Sequence, residues 1–356
     1  MNTIRFIAAC GIAAIAASHD AYAQDSAPAR PDEHAPISVM GDHYHETGEV
    51  MFSYRYMTMS MEGNAIGSDS VSPNTIVTTI PNRFFGLPNQ PPTLRVVPTE
   101  MTMDMHMLGV MYAPTDRVTL MGMLNHVSKE MTHTTYMGPA GTNVLGTFTT
   151  DASGLGDTSL AALIRLREGD ENRLHLTLGV SLPTGDIEET AAVLAPNGMR
   201  PTLRMPYPMQ LGSGTYDLLT GLTYSSFFSD RASWGAQWRS TLRTGDNDEG
   251  YSLGDEHRLT AWYSRLVSSR VSWSARLEWF DRANIDGIDP LIVAPVQTAD
   301  PLYQGASRLD AALGLNFASN AGHRLAFEFI APLEQDLDGP QLETDWQLTA
   351  GYQFSF

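Results

Sequence analysis

The sequence predicts an all-β protein: a transmembrane, antiparallel up-and-down β-barrel of outer-membrane type with about 12 strands. Three observations lead to this prediction. Apolar and polar residues alternate in successive segments after residue 48, and a period of two is the period of a β-strand. The connections between these segments alternate between short and long. The chain ends on alternating aromatic residues, Tyr352, Phe354 and Phe356, as expected of a lipid-facing closing strand.

Residues 1–23 have the features of a secretory signal peptide. Arg5 supplies the positive charge, residues 6–17 are apolar, and residues 21–23 (Ala-Tyr-Ala) form a cleavage site. The single cysteine, Cys10, lies in this segment, so the exported chain is expected to contain neither disulfides nor cysteine metal sites. No later apolar run reaches 18 residues, and no transmembrane helix is predicted.

Residues 24–47 are polar and rich in proline, and we expect a mobile N-terminal arm there. The arm carries nitrogen and sulfur donors that are candidate metal ligands: His34, Met40, His43 and His45. His43 and His45 project the same way if the chain is extended. Solvated histidines without a metal are the alternative interpretation.

Residues 48–356 form the predicted barrel. Its twelve segments lie near residues 50–57, 101–112, 118–125, 159–166, 174–182, 216–224, 234–243, 257–267, 271–279, 308–317, 324–329 and 346–356. The long connections, including those near 62–98, 132–155 and 334–341, are expected to be extracellular, and the short turns periplasmic. A soluble β-sandwich, the alternative, predicts connections of more equal length.

One face of the first three strands is rich in methionine, and 14 of the 18 methionines lie between residues 40 and 137. Because successive strands pair in such a barrel, these side chains are expected to form one inner wall. The candidate metal ligands in this wall are Met57, Met59, Met101, Met103, Met105, Met107, Met121 and Met123. Three interpretations remain open: packing, a path for the soft cations Cu(I) or Ag(I), and an apolar surface for small aromatic solutes.

The opposite wall of the lumen is expected to be polar and charged. Its candidate residues are Arg165, His175, Asp217, Arg239, Arg276, Glu278 and Asp310. Asp104 and His106 do not fit the pattern, because strict alternation turns them outward. They must therefore lie above the hydrocarbon layer or follow a β-bulge.

Charge and motifs exclude several classes of function. A net charge of −18 argues against nucleic acid as a partner. Phosphate-loop and dinucleotide motifs are absent from the sequence, and no nucleophile elbow or convincing Ser-His-acid set supports an enzyme. The expected partners are outer-membrane lipid, lipopolysaccharide and a small solute or metal ion.

Three segments carry a family resemblance: Gly154-Leu-Gly-Asp157, Ser181-Leu-Pro-Thr-Gly185 and Leu211-Gly-Ser-Gly-Thr-Tyr-Asp217. They resemble the family of outer-membrane transporters named for the meta-cleavage pathway of phenol degradation. The run from His34 to Met61, with the methionine strand, resembles a Met/His-rich subgroup. The resemblance implies uptake of aromatic compounds at the outer membrane of a Gram-negative bacterium. Similarity of the last strand to other outer-membrane barrels implies that the barrel-assembly machinery binds it.

The residues and the resemblance together predict an outer-membrane transport barrel. Because the family name does not account for the methionines and histidines, we expect this barrel to handle copper or another soft cation through a Met-lined lumen. The alternative is a passive channel for small aromatic or hydrophobic solutes. Replacement of the methionines by leucine separates the two, since only the first requires thioethers.

Overall fold

A computed structural model describes residues 30–169 and 171–356. The predicted signal peptide and residues 24–29 of the predicted arm lie outside the described residues. The strands are β1 (Val50–Gly67), β2 (Asp69–Ser70), β3 (Val96–Thr115), β4 (Val118–Tyr136), β5 (Val144–Leu155), β6 (Thr158–Glu168), β7 (Asn172–Leu182), β8 (Thr190–Ala192), β9 (Thr202–Arg204), β10 (Asp217–Ser229), β11 (Ala232–Arg243), β12 (Tyr251–Ser252), β13 (Glu256–Ser268), β14 (Val271–Arg282), β15 (Asp286–Gly287), β16 (Ala306–Ala318) and β17 (His323–Ser355).

Helical structure is confined to the connections. One α-helix, α1 (Pro73–Thr79), follows β2, and short 3-10 helices cover Tyr207–Met209, Gln297–Ala299 and Pro301–Tyr303. Ser72 caps α1, since its side chain accepts a hydrogen bond from the backbone N–H of Thr75. Within the described ranges, no helix combines the length and the apolar character needed to cross a membrane.

Eleven of the strands pair in an antiparallel ring, which β17 closes by pairing with both β16 and β1. Residues 324–337 of β17 pair with β16, and residues 337–355 pair with β1. Since β16 and β1 run in opposite directions, β17 must be a hairpin. It turns at Gly339, which has a φ of +82°, and Ser355 N donates to Gly322 O at 3.1 Å where its ends meet. The eleven strands therefore make twelve passes along the barrel, because β17 makes two of them. This confirms the predicted barrel.

The barrel is apolar outside and polar inside. Along β14, Trp273 and Leu277 are exposed, whereas Ser274 and Arg276 are buried. Successive side chains of a strand point to opposite faces, so one face of each strand meets the exterior and the other meets the lumen. A water-soluble fold would bury the leucines instead, and the arrangement is that of a barrel in lipid.

The long connections pack over one end of the barrel. β5 pairs with residues 126–136 of β4 above the ring, a pairing that the sequence analysis placed in a loop. The connections share an apolar core, called the cap here, formed by Phe84, Val96, Phe148, Leu194, Tyr207, Tyr251, Ile285, Ile292, Val296 and Ala299. The predicted loop near 334–341 is instead the extended tip of the β17 hairpin.

Residues 30–47 lie inside the barrel, where the sequence analysis expected a mobile arm. This segment, called the plug here, is held at the short-turn end by a hydrogen bond from Thr47 N to Asp116 Oδ1. Ala35, Ile37 and Val39 are buried, with exposures of 2%, 1% and 3%. The segment turns between them, with Val39 N donating to Pro36 O at 2.9 Å, and a turn gives no sequence period.

Candidate functional site

Side chains from several strands hold the plug by its backbone. Arg55 Nε donates to Ile37 O at 3.1 Å, and Gln237 Nε2 donates to Met40 O at 3.0 Å. The Arg324 guanidinium donates to Ala35 O, and His175 Nε2 to Gly41 O. The plug is built from turns and has no sheet partner, so many of its carbonyl groups depend on these donors. The inward-facing polar residues of β1, β7, β11 and β17 thus position the plug.

Ile37 occupies a space that a glycine of the barrel wall leaves open. A Cβ built on Gly351 would lie 2.7 Å from two carbons of Ile37. Any side chain at this position of β17 would collide with the plug. Glu328 adds a further contact, because its Oε2 accepts from Ser38 N at 3.1 Å.

The plug also gathers three imidazoles. The ring centroids of His34 and His43 are 4.8 Å apart, and those of His43 and His45 are 4.9 Å apart. Asp42 lies beside them, with Oδ1 2.9 Å from His43 Nδ1. Burial and the charge of Arg324 lower the pKa of His34 well below its usual value. Although burial alone would raise the pKa of Asp42, the neighbouring His43 holds it well below its usual range.

A chamber of about 170 Å³ lies above the plug. Guanidinium, carboxylate and amide groups of the wall line one side of the chamber. Residues of the plug and further wall side chains line the rest. The lining residues are Ser38, Val39, Met40, Gln237, Arg239, Arg258, Thr260, Arg276, Glu278, Asp310, Ile330 and Gln347. Four predicted lumen residues, Arg239, Arg276, Glu278 and Asp310, are therefore brought together here.

Ion pairs neutralise most of the charge around the chamber. Glu278 accepts from Arg258 at 2.9 Å and from Arg276 at 2.8 Å, and Arg276 Nε also donates to Glu328 at 2.7 Å. Arg239, by contrast, has no ion-pair partner within the described residues. One lining guanidinium is thus free to pair with a solute.

The predicted methionine wall has a regular register. Met57 lies opposite Met105, and Met59 lies opposite Met103. Three-strand rows also form from Met61, Met101 and Met131, and from Met51, Met111 and Met121. Met107 and Met123, the remaining predicted members, lie on the same inward-facing side of β3 and β4 and are half-buried. Antiparallel partners lie about 4.5–5.5 Å apart, so neighbouring thioethers can touch.

A loop closes the upper part of this wall. Met205 and Met209 are fully buried against Met101, Met131 and Leu211. Lys129 Nζ fastens the loop by donating to Pro208 O at 2.8 Å. Packing therefore accounts for the upper rows of the wall in this state of the protein.

Several predicted residues lie apart from the chamber. Arg165 and His175 face the plug, with the Arg165 guanidinium 4.2 Å from the ring of Tyr44. Asp217 lies at the long-loop end, where Ser213 Oγ donates to it at 3.0 Å. Met40 lines the chamber and does not join the imidazoles.

Asp104 and His106 face outward without a bulge between them, as alternation requires. The phenol of Tyr56 donates to Asp104 at 2.7 Å, and the phenol of Tyr54 lies 2.8 Å from His106 Nδ1. These tyrosines explain how two polar residues are accommodated on the outer face of β3.

The sequence analysis missed residues that complete these sites. Arg258 belongs to the ion-pair network and occupies an inward position of β13, opposite Arg239 of β11, and the alternation of that strand is the signal that could have found it. Glu328 of the same network fits the alternation and was predicted to face the lumen. Asp42 directly precedes His43, and a single carboxylate beside a histidine has no distinctive spacing that would mark it in the sequence. The burial of Met205 and Met209 could not be predicted from the sequence, because residues that pack in a loop follow no sequence period.

Comparison with known proteins places the fold among outer-membrane channels. No protein-family model matches the sequence, and no curated protein matches it. A solved outer-membrane channel from Pseudomonas putida F1 is similar, with a TM-score of 0.57 and 13% identity over 90% of this chain and 100% of that one. The deltaS2 mutant of the TodX monoaromatic hydrocarbon channel has a TM-score of 0.43 and 10% identity, over 88% of this chain and 91% of that one. A Pseudomonas aeruginosa FadL homologue has a TM-score of 0.38 and 9% identity, over 86% of this chain and 89% of that one.

These likenesses concern the fold alone. The likeness to the Pseudomonas putida channel confirms the barrel fold that the predicted resemblance implied. The phenol-pathway family and its Met/His-rich subgroup stay predictions.

Proposed function

We propose that this protein is an outer-membrane channel for small aromatic or apolar solutes, closed here by the plug and the cap. The observation that carries the proposal is the chamber of about 170 Å³ that the plug and the barrel wall enclose. An engineered apolar cavity of about 150 Å³ binds benzene, so this volume suits a single ring. A chamber of this size is a resting point on a path and not an open pore.

The chemistry of the lining favours aromatic over aliphatic solutes. Arg239, Arg258 and Arg276 all contribute guanidinium groups, and aromatic faces stack on such groups. Val39 and Ile330 supply apolar contact. Because Arg239 lacks an ion-pair partner among the described residues, a ring that carries a phenolic or carboxylate oxygen gains a charge-assisted hydrogen bond.

The methionine wall connects the chamber with the cap. Met59 lies opposite Gln347, which lines the chamber, so the wall borders it directly. Thioethers are apolar and flexible, and they let a ring slide without holding it. Movement of the loop that carries Met205 and Met209 opens this route.

Filling the chamber tests the proposal. Gln347 faces the chamber, whereas its neighbour Leu348 is on the exposed face of the same strand. We expect Gln347→Trp to reduce flux of a phenolic solute into liposomes about tenfold or more, and Leu348→Trp to leave it unchanged. Equal fluxes through the two variants would remove the chamber from the path.

A second candidate function is transport of Cu(I) or Ag(I) along the methionine wall. The register favours it, because the rows of paired methionines offer repeated, weak, soft sites. The test is Cu(I) competition with a calibrated chelator. Replacing Met57, Met59, Met103 and Met105 by leucine should abolish binding, and replacing the exposed Met199 should not.

The setting of the channel is also part of the proposal. The apolar exterior with its terminal aromatics, including Phe356, supports residence in the outer membrane of a Gram-negative bacterium. The C-terminal strand would be bound by the barrel-assembly machinery, and acidic loops would contact lipopolysaccharide through divalent cations. Cleavage of residues 1–23 would precede assembly.

A further inference from the structure

The imidazoles of the plug have nitrogens that nothing else in the described chain uses. His34 Nδ1, His43 Nε2 and His45 Nε2 are buried and have no hydrogen-bond partner among the described residues. One donor atom each of His34, Asp42 and His43 lies within 4.8 Å of the other two. Buried polar atoms are normally paired, so three such atoms in one cluster point to a ligand.

Carboxylates orient two of these rings. His43 Nδ1 lies 2.9 Å from Asp42 Oδ1, and His45 Nδ1 lies 3.1 Å from Glu49 Oε1. A carboxylate accepts the Nδ1–H proton and leaves the Nε2 lone pair available in the neutral ring. Metal-binding histidines in proteins are commonly held in this way.

We propose that the plug binds one divalent first-row transition-metal ion through His34, His43 and His45, with Asp42 and Glu49 orienting the rings. Neutral imidazole is the ligand class that suits Cu(II), Zn(II) and Ni(II), in contrast to the soft Cu(I) that suits thioethers. The donors around a tetrahedral ion are about 3.3 Å apart, so the donor atoms of His34 and His43, which lie within 4.8 Å of each other, must close by up to about 1.5 Å on binding. The His45 ring, whose centroid is 4.9 Å from that of His43, must move toward the same ion.

The protonation state of the plug is compatible with a metal ion. Burial lowers the pKa of His45 against the opposing effect of Glu49, and burial with the charge of Arg324 lowers that of His34. A lowered pKa favours the neutral ring, which is the form that binds a metal ion. Asp42 and Glu49 supply two negative charges, which offset the positive charges of Arg55 and Arg324.

A bound ion would tie together the two arms of the plug. His34 lies on the entering arm and His43 on the returning arm, and Asp42 Oδ2 already accepts from Ala35 N at 3.0 Å between them. The ion would thus hold together the two arms of the plug, whose tip lines the chamber. This site goes beyond the proposed passage of solutes and does not require it.

The experiment is metal binding to the mature barrel, refolded in detergent and checked by circular dichroism. Cu(II) and Zn(II) are the probes, Ca(II) is the hard-cation control, and affinity is measured by competition with a chelator. We expect the double variant His34→Ala/His43→Ala to bind at least about 100-fold more weakly, and Glu49→Gln about 10-fold more weakly.

A matched control comes from the outer wall. The rings of His106 and His126 are 6.4 Å apart on the exterior, so their double alanine variant removes as many imidazoles without touching the plug. It should bind like the wild type. Equal affinity of the wild type and the plug variant, or loss of binding in the control variant, would overturn the proposal. Solute flux plays no part in this measurement, so its outcome is separate from that of the proposed channel.

Discussion

The fit between Ile37 and Gly351 allows a quantitative test of how the plug is held. Ile37→Ala deletes three buried carbons, and at about 0.8 kcal/mol per methylene this removes about 2.4 kcal/mol of docking free energy before any cavity is counted. At about 1.4 kcal/mol per tenfold change, the undocked population rises about 50-fold. Gly351→Ala places a carbon 2.7 Å from the Ile37 side chain and should cost about 1–3 kcal/mol.

The two changes should compensate each other. In the double variant the new methyl enters the space that Ile37 vacates, so the combined loss of docking free energy should fall short of the sum by about 1 kcal/mol or more. Hydrogen exchange of the plug amides in the detergent-solubilised barrel measures docking directly. Ile164→Ala is the control, because it makes the same deletion on the outer face of β6. Strict additivity of Ile37→Ala and Gly351→Ala would refute the proposed contact.

Three further predictions concern the ion-pair network around the chamber, the loop over the methionine wall and the assembly of the barrel in the outer membrane. Glu328→Gln leaves a buried guanidinium short of a charge partner and should lower the unfolding free energy in urea by about 3–5 kcal/mol, whereas the exposed Glu334→Gln should change it little. Met209→Ala should destabilise the packing of the loop that carries Met205 and Met209 on the methionine wall by about 2–5 kcal/mol, seen as faster proteolysis, and Met199→Ala should not. Phe356→Ala should reduce the assembled fraction in the outer membrane while the refolded barrel loses little stability, because the backbone hydrogen bonds between residue 356 and Val50 remain.

The barrel was predictable because its exterior imposes a period on the chain. Each crossing must present apolar residues to lipid at every second position, and segments such as that around Leu277 display this directly. Inward-facing groups follow from the same alternation, which is why Arg239 and Asp310 were assigned to the lumen. The hairpin at Gly339 was interpreted as a loop because its strands extend beyond the lipid, where the apolar signal ends.

The contents of the lumen were harder to predict. The plug forms no regular strand, so its order depends on donors that are distant in sequence, such as Arg324 for Ala35. The sequence identified His34, His43 and His45 as a set, but no period or spacing revealed that Met40 points to a different site. Loop residues such as Met205 are positioned by contacts between connections, which no local pattern encodes.

The polar wall and the plug depend on each other through backbone chemistry. A buried carbonyl without a donor is costly, and the plug, which has no sheet partner, would carry several of them if the wall were apolar. Arg55, His175, Gln237 and Arg324 each donate to one plug carbonyl. When the plug leaves, water enters the lumen and hydrates both the carbonyls and their donors, so these bonds contribute little net free energy. Apolar contacts such as that of Ile37 must then determine most of the docking free energy of the plug. A metal ion bound between the two arms of the plug would increase this docking free energy without any change in the barrel wall.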